Sequence, residues 1–355
     1  MIVELAQRVA ALPADAREAA TRIFDVSETV GTLDPPTEME GWITKLFGSV
    51  EAVRHQRIVR VTNIVTFEGA LFNALRAQRP MEVKGGDEAR KTIAAAVGDP
   101  FDTPETGTPA DSFGRIGGSH SITASNIAKY DGYHGVLVFA RHDPLEPMDE
   151  ATLADHLLTA RRWAEAAHQS DPDARFYLLL WNSLWRAGGS VVHGHMQMTV
   201  TRGRHYPKVE ALRRQAAAYR AAHGRDYFDD LYLVHGALGL GVEVGGARVM
   251  ASLVPIKERE IVIVGRPGQH EGSLVSAIAH ALNAYRALGV VSHNMVAYVG
   301  PLAGDGAEWS AFPPVVRLVD RGDPGNRTSD IGAMELYAAS VVSADPFAVS
   351  EALRR

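Results

Sequence analysis

The sequence contains no cysteine. No disulfide can brace the fold, no thiolate can bind a metal, and no cysteine can act as nucleophile. Also missing is any apolar run approaching the roughly 18 residues of a membrane-spanning helix, so no membrane partner is expected. The opening stretch, MIVELAQRVAALPADAREAA, lacks the basic start and apolar core of a secretion signal. A cytoplasmic location is the expectation. Nor is there an excess of positive charge: the formal net charge is −6 and the pI about 6.2. Binding a nucleic-acid backbone requires a basic field, so nucleic acid is excluded as an expected partner.

What is present is an ordinary globular composition, 46% hydrophobic and 22% charged over 355 residues. That length holds two domains, or one duplicated unit with an extension. Residues 1 to about 30 read as helical, and a second helix follows the Asp34-Pro35-Pro36 break with Trp42, Ile43, Leu46 and Phe47 on one side. Alternating or continuous apolar stretches predict strands at Arg57–Val65, Ser121–Asn126, Gly135–Ala140, Arg175–Trp181 and Ser190–Val200, then near Leu231–Val234, Val249–Pro255, Glu260–Val264 and Asn294–Tyr298. Helical periodicity marks Met148–Gln169, residues 207–223 and Ser273–Leu288. The order strand, strand, helix, strand occurs twice, which predicts a duplicated α+β unit. The expected division is a helical extension over 1–55, a first half over 56–205 and a second half over 206–355.

The segment that carries chemistry is Asn182-Ser-Leu-Trp-Arg-Ala-Gly188-Gly189-Ser190-Val-Val-His193-Gly194-His195-Met-Gln197. In a strand alternate residues share a face, so His193, His195 and Gln197 are expected to project together. The turn Gly188-Gly189-Ser190 before them can bring backbone N–H groups close to an anion. A neutral imidazole is a competent nucleophile near pH 7, and an amide can donate to a phosphoryl oxygen as charge develops there. Two histidines at this spacing also fit a metal pair or a metallohydrolase with an Asp.

This run resembles the active-site signature of the galactose-1-phosphate uridylyltransferases of the histidine-triad superfamily, although that family usually has proline where Gly194 stands. The resemblance implies two histidine-triad-like halves, each a mainly antiparallel sheet with packed helices. It implies that His195 takes a nucleotidyl group, with His193 and Gln197 assisting and Asn182, Gly188, Gly189 and Ser190 contacting phosphoryl groups. Arg76-Ala-Gln-Arg79-Pro resembles the family's Arg-x-x-Arg-Pro segment, which puts Arg76 and Arg79 against a diphosphate. Ser125-Asn126 resembles the strand end that meets the nucleoside. Gly332-Ala-Met-Glu335 resembles the landmark where a carboxylate binds sugar hydroxyls, so Glu335 is the sugar or acceptor candidate.

The family's Cys-x-x-Cys metal pair falls on Asp99-Pro-Phe-Asp102, and its remaining ligands on His142 and His193. Two Asp and two His suit a divalent metal, zinc among them. The chemistry itself demands no cofactor. The implied function is transfer of a nucleoside monophosphate from a nucleoside diphosphate sugar, UDP-glucose by resemblance, to a sugar 1-phosphate or another phosphate acceptor by a ping-pong route. Dinucleoside polyphosphate phosphorylases share the His-x-His-x-Gln motif and are the alternative, and a nucleotide-binding protein without catalysis is a third. Family members commonly form dimers, which makes a homodimer an expected assembly.

Overall fold

The computed structural model describes residues 1–73, 75–76, 88–304, 306–326 and 328–355. Strands β1 (Phe24–Thr32), β2 (His55–Asn63) and β3 (Gly69–Phe72) form an antiparallel meander. The next nine are β4 (Ser121–Ser125), β5 (Tyr133–Phe139), β6 (Ala174–Asn182), β7 (His195–Arg202), β8 (Gly241–Val244), β9 (Ala247–Ala251), β10 (Ile261–Val264), β11 (His293–Tyr298) and β12 (Val315–Asp320). They make one antiparallel sheet in the order β4-β5-β7-β6-β11-β12-β10-β9-β8. The last strand, β13 (Ser340–Val342), returns to pair in parallel with β3.

The order explains the duplication. Two strands, a long helix and two more strands run from β4 to β7 around the helix Glu150–Ser170, and again from β9 to β12 around the helix Val275–Ala287. The units meet where β6 pairs with β11, Asn182 opposite Asn294 and Leu180 opposite Val296. The sheets of the two expected halves are therefore continuous.

Period-two patterning gives this sheet two different faces. Leu137, Tyr177, Leu179, Trp181, Met196, Met198, Met295 and Ala297 are buried on one side. The helix Glu150–Ser170 packs along β4 to β7, and the helix Val275–Ala287 packs along β8 to β10. Asp149 starts the first of these helices by accepting from Thr152 N–H at 2.7 Å. On the other side Leu178, Leu180, Asn182, Asn294 and Val296 stay half-buried. That face carries the site.

Two local expectations are corrected. The helical reading of residues 1–30 holds for Leu5–Ala10 and Ala14–Ile23, but Phe24–Thr32 is a strand. Val26, Thr29, Val30 and Thr32 are β-branched, and the whole run pairs with β2. Leu231–Val234 was expected as a strand and lies inside the helix Tyr227–Ala237. Asp226 caps it, accepting from Phe228 and Asp229 N–H, and Tyr227, Phe228, Val234 and His235 are buried along it.

The chain ends are joined. Ile2 N–H donates to Asp345 Oδ2 at 2.9 Å, and Arg8 lies over the Phe347 ring at 4.5 Å. Among the described residues no helix is long and apolar enough to cross a membrane.

Candidate active site

The site begins at the entrance to β7. His193 precedes the strand, whereas His195 and Gln197 alternate within it. The expected common projection of all three is thus corrected: His193 turns to a separate cluster. Its Nε2–H donates to the Phe139 carbonyl at 2.8 Å, and the Nε2–H of His142 donates to the Ile93 carbonyl at 3.1 Å. Each ring is left with its Nδ1 lone pair facing inward. The two Nδ1 atoms lie 3.2 Å apart, and both face Asp102 Oδ1, at 3.0 Å from His142 and 3.1 Å from His193. One ligand atom from each of Asp99, Asp102, His142 and His193 falls within 4.8 Å of the others.

Three acceptors in such contact repel each other unless a proton or a cation lies among them. Asp99 Oδ2 is buried with no hydrogen-bond partner. Burial opposes the charge on Asp102, yet the Gly98 N–H and the His142 ring offset it and hold the carboxyl below its usual range. The residues fit a divalent metal: oxygen and imidazole donors converge, and backbone carbonyls fix both rings in the tautomer that ligation needs.

His195 is tied to this cluster through the backbone. Its Nδ1–H donates to the His193 carbonyl at 2.8 Å, so Nε2 carries the lone pair. Among the described residues nothing hydrogen-bonds that nitrogen. The ring is only 4% exposed, and burial pushes its pKa down, which keeps it neutral near pH 7. Phe101, from the loop that brings Asp99 and Asp102, sets its ring edgewise against His195 at 5.3 Å between centroids.

Gly194 explains itself. A Cβ there would stand 2.6 Å from Phe139 Cδ2, and Phe139 is stacked on His156 at 4.1 Å. Its N–H also donates to the His142 carbonyl at 3.1 Å, a bond proline could not make.

The glycine turn serves differently from expectation. Gly188 and Gly189 N–H donate at 3.0 Å to the Trp185 and Leu184 carbonyls, so they are spent within the turn. A Cβ on Gly189 would lie 2.8 Å from the Asn182 carbonyl oxygen, so this position packs backbone against backbone. The N–H groups of Ser190 and Val191 meet no acceptor among the described residues, and Ser190 is exposed. Asn182 Oδ1 accepts from Asn294 Nδ2 at 2.7 Å, and Asn294 Oδ1 accepts from Arg321 at 2.6 Å. That chain leaves the Asn182 NH2 group for another acceptor.

Asn126 follows β4 and lies beside Gln197, with His134 between them; Gln197 Oε1 is 3.0 Å from His134 Nε2. Glu335 Oε2 accepts from Gly332 N–H at 2.9 Å. The same carboxylate lines a cleft of about 610 Å³ on the β11–β12 part of the open face, with Lys257, Asn294, Arg317 and Arg321. Burial opposes its charge, but the Gly332 N–H and the positive charges of Lys257 and Arg76 hold its pKa below the usual value. The charge of Arg76 thus reaches Glu335, although Arg76 does not line this cleft. Arg79 lies outside the described residues. His134, Asn294, Arg321 and Lys257 were not anticipated: none belongs to the quoted motifs, and each reaches the site only through strand pairing or a loop.

Among solved structures, this fold is similar to that of an ADP-glucose phosphorylase from Arabidopsis thaliana with bound ADP-glucose. The TM-score is 0.65 at 15% identity, covering 83% of this chain and 97% of that one. A GalT-like protein from Arabidopsis thaliana aligns with a TM-score of 0.61 at 16% identity, over 73% of this chain and 92% of that one. A uridylyltransferase aligns with a TM-score of 0.55 at 15% identity, over 84% and 98%. The chain shares the fold of these phosphorylase and uridylyltransferase structures. No protein-family profile and no curated protein sequence matches the chain.

Proposed function

We propose that this protein transfers a nucleoside monophosphate from a nucleoside diphosphate sugar to a phosphate acceptor through a covalent intermediate on His195. The observation that carries this reading is the fixed tautomer of His195, whose Nδ1–H is held by the His193 carbonyl while Nε2 keeps its lone pair. Nε2 attacks the α-phosphorus, and the bond from that phosphorus to the bridging oxygen breaks. The sugar 1-phosphate leaves with the electron pair. Positive charge on the nucleotidyl imidazole strengthens the bond from Nδ1–H to the His193 carbonyl. An oxygen of the acceptor phosphate then attacks the same phosphorus, and the P–N bond returns its electrons to Nε2.

Gln197, Asn182 and the Ser190 and Val191 N–H groups are the donors for the phosphoryl oxygens. The cleft with Glu335, Lys257, Arg317 and Arg321 suits a hydroxylated, anionic group such as a sugar 1-phosphate, with Arg76 and Arg79 beside the diphosphate. Asp99, Asp102, His142 and His193 would hold a divalent metal, which would stiffen the segment whose carbonyl aims His195. The solved complex of ADP-glucose with a similarly folded phosphorylase supports a nucleotide sugar as donor and adds inorganic phosphate as a candidate acceptor. UDP-glucose with a hexose 1-phosphate is the counterpart by motif.

Intact mass spectrometry after mixing with UDP-glucose, ADP-glucose or diadenosine tetraphosphate tests the reading. The expected result is a gain of one UMP or AMP, absent in His195→Ala, with turnover reduced on the order of 10⁵-fold. A wild-type chain that takes no label from any of the three would sink it, and label from the dinucleotide alone would favour a dinucleoside polyphosphate phosphorylase.

A further inference from the structure

His134 carries no motif, yet its surroundings fix its chemistry. It lies on β5 and is fully buried. Tyr130 N–H donates to its Nδ1 at 2.9 Å, and the Tyr130 ring stacks on it at 4.3 Å between centroids. A backbone N–H can only donate. Nδ1 must therefore hold the lone pair, and the single proton of the neutral ring sits on Nε2. That Nε2–H lies 3.0 Å from Gln197 Oε1 and donates to it. With its oxygen engaged, the amide of Gln197 turns its NH2 away from His134. Asn126 Nδ2 is 3.3 Å from the same ring nitrogen, which has no lone pair left to receive it. Asn126 Oδ1 is occupied by Ala128 N–H at 3.0 Å, so this second amide also keeps its donors for another acceptor.

We propose that His134 is a positioning residue: its Nε2–H locks the Gln197 amide so that the NH2 group, never the carbonyl oxygen, meets the phosphoryl oxygen that gains charge beside His195. An amide free to rotate by half a turn would present either end, and the oxygen end would repel that charge. Gln197 and His195 stand two residues apart on one face of β7, which sets the amide next to the attacking nitrogen. This role rests on the nucleotidyl-transfer reading above.

The test measures the rate of His195 labelling by rapid quench with whichever nucleotide labels the wild type. The chains are wild type, His134→Leu, His134→Gln, Gln197→Ala and the double variant His134→Leu/Gln197→Ala. Loss of the N–H in His134→Leu is expected to slow labelling on the order of 10- to 100-fold with little change in KM. The His134→Gln variant, whose amide nitrogen can reach about the place of the ring Nε2, is expected to recover much of that loss. In the Gln197→Ala background His134→Leu is expected to cost nothing further. Imidazole ¹⁵N–¹H correlation spectra, which need no activity, are expected to show His134 as the Nε2–H tautomer between about pH 6 and pH 8. Equal losses from His134→Leu with and without Gln197, an Nδ1–H tautomer, or a His134→Gln variant as slow as His134→Leu would each overturn the role. If the wild type takes no label at all, the transfer reading falls and this role falls with it. A labelled wild type with additive variants removes His134 alone.

Discussion

At the scale of single residues, the site works by exhausting one end of each polar group so that the other end is defined. His195 spends Nδ1 on the His193 carbonyl, Asn182 spends Oδ1 on Asn294, and Gln197 spends Oε1 on His134. Gly194 shows the same economy in space. Its missing side chain is where Phe139 stands, and Phe139 cannot retreat because His156 stacks behind it. Gly194→Ala is expected to destabilise the fold by about 1–3 kcal/mol through overpacking, and Phe139→Leu in the same chain is expected to restore part of it. Urea denaturation of the two variants checks both numbers. From sequence, His195 and Gln197 were legible because strand alternation links them. His193 was misplaced because the strand starts after it, a boundary that periodicity defines poorly. His134 was invisible because its partners come from another strand and a turn.

At the scale of elements, a single loop does two jobs. The segment around Asp99–Asp102 delivers two carboxylates to the cluster and Phe101 to the flank of His195. Metal bound there would be felt at His195 through the position of the His193 carbonyl. Elemental analysis of the purified protein is expected to find about one divalent ion per chain, reduced in Asp102→Asn and in His142→Ala. Removal by a chelator is expected to lower the melting temperature and slow His195 labelling. A protein free of metal with full labelling would show that a proton, and no cation, bridges these acceptors. Elements with strong periodicity, such as Glu150–Ser170 and the paired strands β6 and β7, were readable from the sequence. Phe24–Thr32 and Tyr227–Ala237 were not. The first is polar at five half-buried or exposed positions and owes its form to β2, and the second has apolar residues dense enough to imitate a strand.

At the scale of the whole molecule, buried neutral histidines tie stability to pH. Burial lowers the pKa of His235 to about 4, and the same cause brings His156, His205 and His293 to about 4. His235 donates from Nδ1 to the Leu231 carbonyl and accepts at Nε2 from Leu253 N–H, so an added proton would face another proton. The unfolded ring has an ordinary pKa near 6.5. Its contribution is therefore complete above about pH 6.5 and is lost as the pH falls toward 4, because the unfolded chain takes the proton first. Stability is expected to drop by up to about 1.4 kcal/mol per pH unit for each such ring in that window. Melting curves between about pH 7 and pH 5 should show the fall, with a shallower slope in His235→Gln; an unchanged slope would show that this ring charges without cost.

The parallel pairing of β13 with β3, together with the hold of Asp345 on Ile2, fastens the last residues onto the first like a buckle on a strap. Trimming by a protease at the tail would bare an edge of the small sheet and unfasten the first helical turns in the same stroke. Damage at either extremity would thus be registered at the other.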